Sequence, residues 1–66
     1  MTQNEAKKLN NGVYRLFWKE GDWSLAAVGR LYDGTVWFAP SNWVSKSVEG
    51  ITFSEWQMVK SVQQIC

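Results

Sequence analysis

The stretch "GRLYDGTVWFAP", residues 29–40, constrains the chain more than any other. An Asp-Gly pair sits at 33–34 between runs of β-branched and aromatic residues, which is the strongest short-range signal for a β-hairpin. Gly34 supplies the positive φ that such a turn needs without steric cost. Pro40 has no N–H to donate to a ladder and marks the end of the strand. A second turn signal lies upstream at Glu20-Gly21-Asp22. Together they predict a three-stranded antiparallel meander with strands near 12–19, 23–32 and 35–39.

Strand parity then sorts side chains between two faces, because neighbours along a strand alternate and directly opposed residues share a face. A two-residue loop at 33–34 and an even-length loop centred on 20–21 place Arg30 opposite Trp37 and Trp18 opposite Trp23. One face then gathers Tyr14, Leu16, Trp18, Trp23, Leu25, Ala27, Leu31, Val36 and Phe38, with no charge among them. This is the expected core. The other gathers Val13, Arg15, Phe17, Lys19, Ser24, Ala26, Val28, Arg30, Tyr32, Thr35 and Trp37.

The C-terminal stretch "ITFSEWQMVKSVQQIC" offers a cover for the apolar face. It holds two overlapping helix-start signals, Thr52 with Glu55 and Ser54 with Gln57. Beyond them Trp56, Met58, Val59, Val62 and Ile65 fall on one helical stripe. The expected fold class is therefore α+β: a three-stranded antiparallel β-meander packed on one face by a C-terminal α-helix. Residues 41–50 admit either a short fourth strand near 43–46 or a loop pinned by Trp43. Residues 1–11 read as a flexible N-terminal tail, and 12–66 as one small domain.

A chain of 66 residues buries only about 60% of the surface its unfolded form exposes, so dense packing has to compensate. Cys66 is the only cysteine and His is absent, which leaves neither an internal disulfide nor a zinc site to expect. Five Trp, three Phe and two Tyr supply the bulk instead.

The same inventory argues against an enzyme. General acid–base chemistry near neutral pH favours His or a shielded carboxylate. Here the acids fall in turns and helix starts, and the glycines match no phosphate-cradling pattern. No catalytic residue, cofactor, metal or small-molecule substrate is expected. The opening segment "MTQNEAKKLNNG" lacks an apolar signal-peptide core and no apolar run approaches bilayer length. A soluble, cytoplasmic protein without a membrane partner is the expectation, and a lone thiol suits a reducing compartment.

Function is then expected on the second sheet face. Arg15, Lys19 and Arg30 interleave there with Phe17, Tyr32 and Trp37, and Trp43 is a rim candidate. Arg, Tyr and Trp dominate binding hot spots, and aromatics are costly to leave wet. The bland alternative is a solvated face on which Arg30 covers the Trp37 ring and basic stems shield the other rings. As an interaction surface it suits a protein partner, or a second copy in a homodimer. The alternative is a small DNA- or RNA-binding protein using the same face with Lys7 and Lys8. Seven basic against six acidic residues make nucleic-acid binding weak and salt-sensitive.

Two resemblances bear on this choice. The expected three-stranded sheet backed by a C-terminal helix, over residues 12–64, is similar in architecture only to the small arm-binding domains of tyrosine recombinases, which implies DNA contact. In size and economy the chain resembles the small accessory or host-modulating proteins of bacteriophages and prophages, which implies a non-enzymatic module that docks on another protein.

Overall fold

The computed structural model describes residues 1–66. Its centre is the expected meander: β1 (Gly12–Trp18), β2 (Trp23–Arg30) and β3 (Val36–Pro40). Two further strands complete an antiparallel sheet of order β4-β3-β2-β1-β5. The short β4 (Lys46–Ser47) pairs with β3 through Trp37–Ser47 and Phe38–Lys46, so the fourth strand lies slightly beyond the stretch read for it. The fold is α+β, with two short helices, α1 (Gln3–Ala6) and α2 (Phe53–Gln57), and a 3-10 turn at Val48–Gly50.

The C-terminal helix is the first correction. α2 starts at Thr52, whose hydroxyl accepts the Glu55 N–H while the Glu55 carboxylate accepts the Thr52 N–H. It stops after five residues, and Val59–Gln64 runs on as β5 along the free edge of β1. β-branched Val59 and Val62 favour an extended chain, and β1 offers a row of unpaired backbone groups for it to satisfy. The Met58 carbonyl, at the end of the helix, accepts the Lys19 N–H at 3.0 Å. The likeness to arm-binding domains rested on that long helix and does not extend to this architecture.

Strand register is the second correction, and it has one cause. Trp18 N–H donates to Asp22 O and Gly21 N–H to Trp18 O, closing a three-residue loop, Lys19-Glu20-Gly21. The next hairpin repeats this. Leu31 N–H donates to Thr35 O and Gly34 N–H to Leu31 O, closing Tyr32-Asp33-Gly34. Of the loop residues only Gly21 and Gly34 have positive φ, at 108° and 92°. A two-residue type I′ loop would force Asp33 into that region as well, whereas the three-residue loop asks it only of glycine. The Asp33 carboxylate closes the turn by accepting Thr35 N–H at 2.9 Å.

Both loops are thus odd where even loops were expected, and the two shifts cancel in β3. β1 turns Tyr14, Leu16 and Trp18 to the core, and β3 turns Val36 and Phe38 there, as expected. β2 is inverted between them: Ala26 and Val28 are buried, while Trp23, Leu25 and Ala27 face away. Leu31, expected in the core, is exposed beside the second loop. The inversion makes volumetric sense, because small side chains on the central strand leave room for Leu16, Phe38, Trp18 and Trp56 around them.

The core side is closed by short pieces. Trp56 of α2 lies on Phe38, ring centroids 5.4 Å apart, and Trp43 lies on Trp18 at 5.2 Å. Val48, Ile51 and Val59 fill the space between. The segment read as a tail contributes as well. Its helix α1 is capped by Thr2 and Glu5, Ala6 is fully buried, and Met1 and Leu9 pack against the cluster. No helix is long and apolar enough to cross a membrane.

Candidate functional site: the open sheet face

The second face of the sheet carries no covering element. Its rows follow from the register: Ser61–Phe17–Trp23, Gln63–Arg15–Leu25, Val13–Ala27–Ala39 and Gly29–Trp37–Ser47. The side chains left in water include Trp23 at 55% exposure, Leu25 at 46% and Trp37 at 39%, with Val13 beside them. Ala27, Gly29 and Ala39 are small, so they form a shallow floor between two tryptophans. Trp23 and Gly29, next to Trp37, stand six residues apart on β2, or about 20 Å along the strand. Such an apolar strip is on the order of 400 Å², the size at which the largest patch on a small monomer is often a contact surface.

Of the residues expected to form a site, the structure brings Arg15, Phe17 and Trp37 onto this face and separates the rest. Lys19 sits in the first hairpin loop and Tyr32 at the tip of the second, where it is fully exposed. Trp43 lies on the core side against Trp18 and Arg30 leaves the face altogether. The guanidinium of Arg30 donates to the Lys7 and Leu9 carbonyls at 2.8 and 3.1 Å, while its backbone N–H donates to Asn11 Oδ1 at 2.6 Å. The expected Arg30–Trp37 stack is therefore absent, since Arg30 stands opposite Val36. Its role is to tie the N-terminal segment to the end of β2.

The stack that does form was not anticipated. Arg15 lies over the Trp23 ring, 4.8 Å from its centroid, diagonal to it across the β1–β2 ladder. Trp23, Leu25 and Ala27 are the surface residues that the even-loop reading hid. The available signal was the third-position glycine shared by Lys19-Glu20-Gly21 and Tyr32-Asp33-Gly34.

Electrostatically the face is sparse. Arg15 is its one charge, forms no ion pair and donates no hydrogen bond. Four of the six acids are engaged, and Glu20 and Asp22 lie in the first hairpin at the Trp23 end of the sheet. Glu5 and Glu55 cap helices, Asp33 holds its turn, and Glu49 pairs with Lys7. Backbone and hydroxyl donors from Thr52, with Lys46 at 3.3 Å, hold the Glu55 carboxyl below its ordinary range. The Thr35 donors do the same for Asp33.

No family model matches the chain, and neither the curated proteins nor the solved structures include a match to it.

Proposed function

We propose that this chain is a non-enzymatic interaction module that docks a protein partner on the open face of its sheet. The observation that carries the reading is the exposed Trp23–Leu25–Trp37 strip, which no part of the chain covers. Removing two half-exposed indoles and a leucine from water supplies several kcal/mol at roughly 25 cal/mol per Å², enough to offset part of the cost of association. The format fits a small phage- or prophage-type accessory protein that modulates a host protein by occupying one of its surfaces.

Nucleic-acid binding has less support. Arg30 and Lys7 lie together away from the open face, Lys46 and Lys7 are paired with acids, and Arg15 remains as the face's lone cation. One phosphate contact gives little affinity at physiological salt.

The test is a matched-bait capture from bacterial lysate, with and without nuclease, using wild type, Trp23→Ser and Trp37→Ser. The reading expects a protein retained by wild type through 0.5 M salt and lost from both variants. Capture that vanishes with nuclease or with salt would instead support the nucleic-acid alternative.

A further inference from the structure

We infer that the partner of the open face is a protein segment carrying a carboxylate, received by Arg15 at the Trp23 end of the strip, and that a second copy of this chain is disfavoured there. The inference rests on the docking reading above and specifies its chemistry.

The argument begins with what Arg15 lacks. Its side chain is half-buried, its Nε is shielded from solvent, and no acceptor in the protein meets the guanidinium. Stacking on Trp23 orients the plane and leaves the two terminal amines as the groups an incoming acid can reach. A planar guanidinium held this way matches a carboxylate in a two-point contact. Closing any apolar surface over the face strips water from Arg15, and a buried cation without a counterion is strongly unfavourable.

A second copy cannot provide that counterion from the same face. None of the six acids lies on it. Stacking two copies row on row would bring two guanidinium groups into the contact and no carboxylate from the rows of the face themselves. A different protein can supply both requirements at once: apolar side chains for Trp23, Leu25 and Trp37, and one Asp or Glu for Arg15. The strip is long enough for about six extended residues.

The test uses the intact chain as bait for a displayed library of random 12-residue peptides, with Trp23→Ser as the counter-selection. Clones that bind wild type and fail on Trp23→Ser are expected to be enriched in Asp or Glu among apolar residues. A synthetic peptide from this set should bind Arg15→Met at least tenfold more weakly. Changing its acid to the amide should weaken binding to wild type by the same factor, with no further loss when both changes are combined. The peptide-side change leaves the protein's folding untouched. Trp23-dependent clones without acids, or with undiminished affinity for Arg15→Met, would overturn the carboxylate assignment while leaving the docking face standing. Failure to recover any Trp23-dependent clone would remove both. Sedimentation of wild type at 100 µM should give the monomer mass, and a dimer dissolved by Trp23→Ser would show a second copy as the occupant.

Discussion

Trp18 donates its indole N–H to the hydroxyl of Ser24 at 2.6 Å, across the first hairpin on the core side of the sheet. Trp18 is 5% exposed, so this bond satisfies a donor that water does not reach. Ser24→Ala leaves the N–H unpaired and is expected to cost about 1–3 kcal/mol. Trp18→Ala empties the site under Trp43 and should cost about 3–5 kcal/mol, most of the stability of so small a domain. Trp37→Ala and Trp23→Ser, on the open face, should each cost no more than about 1 kcal/mol. Thermal melts of the four variants check the order. An order in which the open-face changes cost most would mean that the face is buried in solution.

The second hairpin gives a sharper test of register. Leu31 stands opposite Thr35 with Tyr32, Asp33 and Gly34 between them. Deleting Tyr32 leaves Asp-Gly as a two-residue loop between the same pair, and Asp-Gly is a favoured type I′ sequence. The shortened chain is expected to keep every strand pairing and to lose at most about 1–2 kcal/mol, the cost of moving Asp33 to positive φ. Gly34→Ala should cost a similar amount in the full-length chain, because Gly34 already holds that conformation. Amide chemical shifts of β2 and β3 report the outcome. Wholesale shift changes on deleting Tyr32 would show that the loop length, and so the face assignment, is different.

Asp33 and Gly34 also show where the fold was legible in the sequence and where it was not. Turn positions, strand spans and the inward sets of β1 and β3 were legible, because glycine placement and β-branched runs encode them locally. The inversion of β2 was not. Loop length decides parity, and whether Asp33 takes positive φ is a matter of about 1–2 kcal/mol that composition does not display. The start of α2 was legible only as Thr52 or Ser54, and the structure uses Thr52 with Glu55; the Thr2–Glu5 pair that caps α1 has the same form. The end of α2 was hidden by a coincidence of spacing. Val59 and Val62 are three apart, which puts them on one face of a helix and on opposite faces of a regular strand. Between them the pairing with β1 slips, from Trp18–Val59 to Phe17–Ser61, leaving Lys60 without an opposite residue. That bulge returns both valines to the core side, so a strand displays the pattern of a helix. At the candidate site, Phe17 and Trp37 were legible from β1 and β3, whereas Trp23 and Leu25 fell with β2.

The identity of β5 as a strand has a direct signature in amide exchange. Ile65 N–H donates to Val13 O at 2.9 Å, and alternation along the ladder turns the Gln63 and Ser61 amides toward β1 as well. Val62 and Gln64 turn theirs to the open edge. Exchange is expected to be slow at 61 and 63 and fast at 62 and 64. A helix would protect consecutive amides through this stretch. Uniform protection across 61–64 would contradict the strand, and uniform fast exchange would mean that the edge is frayed.

Acid should loosen the fold through two turns at once. Asp33 and Glu55 both titrate below their ordinary ranges, each held by donors from a threonine two or three residues away. A carboxyl whose pKa is lower folded than unfolded stabilises the fold when ionised. The contribution is complete above the unfolded value and lost as pH falls through the folded one. The melting temperature is therefore expected to be level from about pH 7 to 5 and to fall once pH drops below about 4.5, the ordinary carboxylate range. Asp33 is exposed and Glu55 partly exposed, so the decline is shallow. Glu55→Gln keeps an acceptor for the Thr52 amide but removes the charge, and Asp33→Asn does the same at Thr35. The double variant should melt lower at pH 7 and lose part of the acid dependence, the two curves drawing together as acid protonates both carboxyls in the folded protein. A wild-type melting temperature that rises on acidification would reverse the sign and place the stabilising charge elsewhere.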